Sequence, residues 1–512
     1  MIARRFLVLA ALCLPFALPA AAQKPAEKPV ADSTPAAIPA ESDSVTQHVV
    51  TINGEAIHYT ATAGNLLVRD DSGAAIGSFF YVAYTKDGAD PLERPVTFLY
   101  NGGPGSATIW LHMGSVGPVR VVTDDAASTP PAPYEIRDNP YSLIDKSDLV
   151  FVDAMSTGFS HIVGKGTGKE FFGTDPDINS FADFVTRYVT VNNRWNSPKF
   201  LMGESYGTTR SAGLANVLDD RGMPLNGVIL VSSYLNEYVD FPGPPYALDI
   251  PYVLYLPTMA ATAWYHDKLS PKPTDLTAFL AQVRQFALGD YQQALAKGSH
   301  LGAAERDAVA AKLHEYTGIS ETYWREANLR LTPDRFEKEL LRGEARTVGR
   351  LDARYVGIDH DAAGESPEYD AADVAINGPF TTAFNYYIKN ALHYTSDTRY
   401  LTTNYGVVGR DWDDHHSVGG GRYDMLDVAE DLRLAMTKNP QLNVFSANGY
   451  FDFATPFFET EYTLDHMGLD PSLEKNIHFG YYRSGHMIYM HTPALAELKH
   501  DLAAFYDATL SR

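Results

Sequence analysis

One nine-residue stretch constrains this chain more than any other: Lys199-Phe200-Leu201-Met202-Gly203-Glu204-Ser205-Tyr206-Gly207. An apolar, extended run leads into Ser205, and a helix-compatible run over residues 208–218 leads out. A strand that turns into a helix within so few residues brings two backbones close together. Glycine two positions before and two after the serine permits that approach, and the turn pushes the serine hydroxyl outward. Gly-x-Ser-x-Gly also occurs at ordinary tight turns, so the rest of the chain has to decide whether Ser205 is a nucleophile.

The surroundings alternate between strands and helices. Residues 96–100 are a continuous apolar run, residues 149–153, 228–232 and 443–447 read as further buried strands, and residues 475–481 read as one more strand. Residues 177–194 carry helical spacing. Such alternation predicts a mostly parallel α/β sheet. Ahead of it, residues 46–84 alternate apolar and polar positions, with turns at Asn53-Gly54 and Asp71-Ser72-Gly73, which predicts antiparallel hairpins. From residue 257 to about 343 only helical patterns occur (269–296, 303–316, 320–329, 332–341), with Ser270, Thr274, Ser320 and Thr332 as candidate caps. This reads as a helical insertion covering the sheet. Residues 355–375 read as an acidic loop, 381–392 and 422–437 as helices, and 494–510 as a terminal helix. The expected organisation is a signal segment (1–22), a disordered linker (23–45), a first part of the α/β core (46–256), the helical cap (257–345) and a second part of the core (346–512).

Charge and the N-terminus narrow the function classes. The net charge is -22 and the pI is near 5.1, which excludes the basic surface a nucleic-acid binder needs. Arg4 and Arg5, a short apolar core over residues 6–16, and Ala20-Ala21-Ala22 form a secretory signal pattern, too short to span a bilayer. The one cysteine, Cys13, lies inside that signal, so the mature chain has no disulfide and no thiol nucleophile. Together these predict export to a bacterial periplasm or secretion, with no integral membrane segment left after processing. Residues 23–44 are rich in Pro, Ala, Ser and charge and read as a spacer.

A serine hydroxyl becomes a nucleophile only when a base takes its proton, and the base needs an acidic partner to hold its ring. In α/β-hydrolases these follow in the order Ser, Asp or Glu, His. Asp452 follows the 443–447 strand, and His486 follows the 475–481 strand. Both lie where catalytic groups collect, beyond the carboxyl ends of strands. His486 is favoured over His478 and His491 because its loop comes directly after a strand. At the end of the 96–100 strand, the loop Asn101-Gly102-Gly103-Pro104-Gly105-Ser106 leaves backbone N–H groups open, as an oxyanion hole requires, and the N–H of Tyr206 would be the second donor.

Taken together, Asn101–Ser106, Gly203–Gly207, Asp452 after its strand and Gly485-His486-Met487 resemble the serine carboxypeptidase family, the carboxypeptidase Y-like enzymes and here their bacterial branch. Asp138-Asn139-Pro140-Tyr141-Ser142 and Gly158-Phe159-Ser160 extend the resemblance, which covers roughly residues 95–235 and 442–489. It implies an α/β-hydrolase fold, with a mostly parallel sheet, N-terminal antiparallel strands and a helical cap. It also implies Ser205 as nucleophile, His486 as base and then acid, and Asp452 orienting the ring. Gly103 and Tyr206 would supply the oxyanion N–H groups, and Asn101 and Glu204 would hold the free C-terminal carboxylate of a peptide. Two carboxylates lie close together only if one holds a proton, so a Glu204 in this role favours peptide binding at acidic pH.

Two departures stand out. Ser106 replaces the family's cysteine, and Ser115 falls about where yeast-type enzymes carry a second glutamate. No cofactor or metal is expected. Adjacent residues such as Asp413-Asp414-His415-His416 rarely converge on one ion. The stretch Gly164-Lys165-Gly166-Thr167-Gly168-Lys169 is not a phosphate loop, because Val163 and Glu170 break the pattern. The expected activity is release of C-terminal amino acids from peptides through an acyl-enzyme. The alternative is an esterase or acyltransferase using the same three residues on a non-peptide acyl group.

Overall fold

The computed structural model describes residues 35–242 and 248–511. The signal segment and residues 23–34 of the linker lie outside the described residues. From Ala36 to Ser511 the chain falls in one compact unit.

The hairpins form where alternation and turn chemistry place them. Strands Asp43–Ile52 and Glu55–Arg69 pair antiparallel with Ile52 opposite Glu55. The two-residue turn between them puts Asn53 and Gly54 at φ 51° and 83°, the left-handed geometry that Asn-Gly supplies at low cost. Strand Ala75–Lys86 continues the sheet antiparallel to Glu55–Arg69 and leads to Asp148–Val152. From there the strands run parallel, in the order Asp148–Val152, Val96–Tyr100, Lys199–Ser205, Gly227–Ser233, Asn443–Gly449, Ile477–Tyr482. Strands Val96–Tyr100, Asp148–Val152 and Gly227–Ser233 are buried at every position, because helices cover both faces. Helices Ala371–Asn390 and Thr492–Leu510 pack on one face, around Phe200, Met202 and Ile229. Helices Thr174–Val191, Tyr206–Asp220 and Ala429–Lys438 pack on the other, around Leu201, Val228 and Leu230.

A third core joins the helices Ile250–Tyr265, Leu276–Phe286 and Ala303–Thr317 to Tyr450, Phe451, Phe453 and Phe457. The helical layer therefore rests on the loop that carries Asp452. Its first helix spans the expected 256/257 boundary. Ile250–Tyr265 is buried around almost its whole circumference and contains Pro257, where the sequence reading began the insertion. Helix Leu276–Phe286 is capped by Asp275, whose carboxylate accepts from the N–H of Ala278, and not by Ser270 or Thr274. Helix Ala371–Asn390 begins ten residues before the expected 381, capped by Asp370, and carries Gly378-Pro379 within it. Order also begins earlier than residue 46. Ala36 bridges Gly164, and Glu41 bonds the N–H of Leu67 and the guanidinium of Arg187. These are tertiary partners that composition does not reveal.

One buried carboxylate pins the centre of the sheet. Asp148 takes Arg94 Nε at 3.0 Å, Arg194 Nη1 at 2.6 Å and the N–H of Lys86 at 3.0 Å. It ties the antiparallel edge to the parallel strands at the end opposite Ser205.

Candidate active site

Ser205 ends the Lys199–Ser205 strand and precedes helix Tyr206–Asp220, with φ 60° and ψ −134°. For a side chain larger than glycine this backbone is strained, and such strain concentrates at functional sites. The flanking glycines are required by contact. A Cβ on Gly203 would lie 2.0 Å from Gly207 O, and one on Gly207 would lie 2.7 Å from Tyr100 O. The neighbouring loop closes on the same turn: a Cβ on Gly102 would meet Tyr206 N at 2.4 Å. Gly103, at φ 112°, follows in a conformation suited to glycine. The Asn101–Ser106 loop thus lies directly against the first helical turn after Ser205.

Asp452 follows the Asn443–Gly449 strand and is fully buried. Its Oδ1 accepts from the N–H groups of Ala454 and Thr455 at 2.8 and 3.0 Å, and its Oδ2 accepts from Thr455 Oγ1 at 2.8 Å. Held this way, Oδ2 lies 2.8 Å from His486 Nδ1. The backbone fixes His486 as well, since its N–H bonds Leu351 O at 2.6 Å and its C=O accepts from Ser232 Oγ at 2.6 Å. Burial disfavours the imidazolium, but the charge and hydrogen bond of Asp452 outweigh it and hold the ring above its ordinary value. Ser205 and His486 line one cavity of about 470 Å³ together with Asn101, Gly103, Glu204 and Tyr206. All seven residues singled out in the sequence therefore meet there or, for Asp452, directly behind it. No hydrogen bond between the Ser205 hydroxyl and the His486 ring is closed in this structure.

At one end of the cavity Asn101 Nδ2 donates to Glu204 Oε1 at 2.7 Å. Glu204 is buried, and burial pushes its carboxyl up to about 7, against the pull of the nearby His486 charge. Its second oxygen, Oε2, has no hydrogen-bond partner. Asn101 is itself clamped, with Oδ1 accepting from the N–H of Leu111 at 3.0 Å and C=O accepting from Arg210 Nη1 at 2.9 Å. Arg210 is ion-paired to Asp177 at 2.7 Å in full burial. Sequence reasoning passed over this pair, because its partners come from two different helices. It also passed over Tyr489, three residues after His486, whose buried hydroxyl lies beside Glu204 without closing a hydrogen bond to it.

Other predicted positions turn out to be braces. Ser115 turns away from the cavity and donates to Leu111 O at 2.7 Å. Asn139 donates to Ser115 O and Gly117 O at 2.6 and 2.8 Å. Asp153 accepts from the N–H of Thr108 at 2.8 Å and from Tyr400 at 3.0 Å, with burial lifting its carboxyl to about 6. It thereby fixes the turn after the Asn101–Ser106 loop. In the 413–416 cluster, His416 lies between Asp175 (2.7 Å) and Asp431 (2.6 Å). Burial opposes its charge, but the bonds to the two carboxylates win and raise it to about 9.

A mostly parallel sheet with a serine on a strained strand–helix turn, and an Asp–His pair at the ends of its last two strands, defines an α/β-hydrolase. The fold agrees with a solved structure of KEX1, a prohormone-processing carboxypeptidase from Saccharomyces cerevisiae. The match has TM-score 0.52 and 15% identity and covers 88% of this chain and 92% of that one. Residues 54–243 match the serine carboxypeptidase family model. Asn101, Gly103, Glu204, Ser205 and Tyr206 fall inside the matched segment. Asp452 and His486 lie beyond it, and geometry alone brings them to the site.

Among curated relatives, the pheromone-processing carboxypeptidase KEX1 of Yarrowia lipolytica is 27% identical over 41% of this chain and 33% of its own length. Serine carboxypeptidase-like 26 of Arabidopsis thaliana is 20% identical over 36% of this chain and 40% of its own length. The matched part thus spans well under half of these relatives.

Proposed function

We propose that this protein is a serine carboxypeptidase that releases C-terminal amino acids from peptides, exported to a periplasm or secreted. The observation that carries this reading is the buried Asn101–Glu204 pair, bonded at 2.7 Å in the residue just before Ser205. A general esterase has no use for a carboxyl group held near neutrality beside its nucleophile. An enzyme that grips a terminal carboxylate does. Protonated, Glu204 donates to the substrate carboxylate through the oxygen that has no partner in the protein. Asn101 keeps the other oxygen in place.

With the C-terminus held there, Ser205 Oγ attacks the last peptide carbonyl while His486 takes its proton. Asp452 holds the ring and stabilises the imidazolium that forms. The N–H groups of Gly103 and Tyr206 receive the developing oxyanion. His486 then hands its proton to the departing amino group, leaving an acyl ester on Ser205. Water, activated by the same histidine, releases the shortened peptide. The deciding test is incubation with a peptide library, with mass spectrometry of released amino acids, beside Ser205→Ala. Stepwise loss of C-terminal residues, absent in the variant, is expected. Hydrolysis of small esters but of no peptide would assign the site to the esterase reading instead.

A further inference from the structure

A second cavity of about 710 Å³ lies under the helical cap, lined by Tyr252, Tyr255, Arg330, Glu337 and Phe453 among others. It shares two lining residues with the catalytic cavity, Phe241 and Arg350, and includes none of Asn101, Glu204 or Ser205. Arg350 therefore stands at the junction of the two chambers. Its backbone is tied to the catalytic loops on both sides. The N–H bonds Asp370 Oδ1 at 3.1 Å, and the C=O accepts from the N–H of Phe453, the residue after Asp452, at 3.0 Å. The next residue, Leu351, accepts from the N–H of His486. A cation wired in this way has a fixed origin, which a lysine or arginine on a free loop does not have.

Its side chain is exposed, and among the described residues no carboxylate lies within ion-pair distance of its guanidinium, whereas Arg330 in the same chamber is paired with Asp249 at 2.7 Å. The nearby acids do not neutralise Arg350. Asp370 accepts the N–H groups of Arg350, Leu351 and Ala372 as a helix cap. Glu337, buried and with Oε1 unpartnered, is pushed up to about 8 by burial, and Asp240 is raised well above the usual carboxylate range by burial and by Glu459. Asp373, at the rim of the catalytic cavity, is also raised by burial.

We propose that the cap chamber receives the part of the peptide upstream of the cleaved bond, and that Arg350 at its mouth selects substrates bearing an acidic side chain there. The inference rests on the carboxypeptidase reading and gives it a substrate class. With the C-terminal carboxylate at Asn101–Glu204, the rest of the chain runs past Ser205. Arg350 and Phe241 mark the passage into the neighbouring chamber. A guanidinium meets a carboxylate through two parallel N–H donors, a stronger bond than neutral pairs make. Arg350 is a specificity residue, not a catalytic one.

The test uses the full chain and three peptide series identical except for Glu, Gln or Lys, placed in turn at the last, penultimate and third-last positions. For wild type, Glu at the penultimate or third-last position should raise kcat/KM about tenfold over Gln, mainly through KM. In Arg350→Gln that ratio should fall to about one, the loss falling on the Glu peptides. Equal rates for Glu and Gln, a preference for Lys, or a Glu preference that survives Arg350→Gln would overturn the proposal. A preference confined to the last residue would place Arg350 on the other side of the cleaved bond and overturn the chamber assignment. Calorimetric binding of the same peptides to Ser205→Ala reads the Arg350 dependence separately. If no peptide is cleaved, the carboxypeptidase reading falls, and the binding difference alone decides whether Arg350 selects acidic chains.

Discussion

Replacing Glu204 with Gln separates recognition of the terminal carboxylate from the chemistry next to it. In the wild type the Glu204 carboxyl sits near 7, so about nine-tenths is protonated at pH 6 and about one-tenth at pH 8. Only the protonated form can donate to a substrate carboxylate, so kcat/KM for free-acid peptides should fall about tenfold over that interval from this group alone. His486, whose imidazolium Asp452 favours against burial, must be neutral to act as base, which would obscure the effect in a single profile. The ratio of kcat/KM for a peptide acid to that for the matching peptide amide removes it, because both substrates need the same base.

The ratio should drop by about tenfold or more from pH 6 to 8 in the wild type, since ionised Glu204 accepts from an amide NH2 and repels a carboxylate. In Glu204→Gln it should be flat, because the Gln amide donates at every pH while its oxygen still accepts from Asn101. Stability supplies an independent readout. The carboxyl is raised in the folded state, so the folded form binds the proton more tightly and loses stability as pH rises from the unfolded value toward the folded one. Moving from 4.5 to about 7 corresponds to about 3 kcal/mol. The Gln variant should therefore melt higher than wild type at pH 8 and about the same at pH 4. A flat ratio in wild type, or an unchanged slope in Glu204→Gln, would refute the carboxylate-reading role.

Asp452→Asn should keep the fold and lower kcat by about 10⁴, with a matching loss in the rate of fluorophosphonate labelling at Ser205, because the ring loses the partner that sets its tautomer. Labelling at the wild-type rate would show that Asp452 only braces its loop. Gly203→Ala should abolish labelling and lower Tm, since the new Cβ would lie 2.0 Å from a backbone oxygen. Asp148→Ala should cost about 3–5 kcal/mol in urea unfolding, because two buried guanidinium groups lose their common partner. A loss below about 1 kcal/mol would mean that water replaces the carboxylate there.

What could be read from the sequence was whatever is encoded locally. Asn53-Gly54 announces its turn because only a few residues accept positive φ, and Gly203 and Gly207 announce theirs because nothing larger fits. The central strands were visible as largely apolar runs such as residues 149–152 and 228–231. Pro257 and Pro379 lie inside helices that tertiary burial holds together, so Ile250–Tyr265 and Ala371–Asn390 begin ahead of residues 257 and 381, where helical patterns are expected from the sequence. The site was legible where a motif concentrates it, at Asn101–Ser106 and Gly203–Gly207. It was illegible where a group acts through a distant partner. Arg210 carries no signal until Asp177 and Asn101 O are seen around it, and Arg350 none until Phe453 and His486 are seen on either side of its peptide unit.

The φ of 60° at Ser205 has a consequence for how the protein drifts under mutation. Glycine is the residue most at ease in that backbone, so Ser205→Gly should relieve about 1–2 kcal/mol of strain while removing the nucleophile. A library screened for heat resistance alone would accordingly be drawn, at the proposed nucleophile, toward an inert protein. The serine persists only where turnover is selected along with folding, which makes residue 205 an internal control for whether a screen is rewarding catalysis or mere solidity.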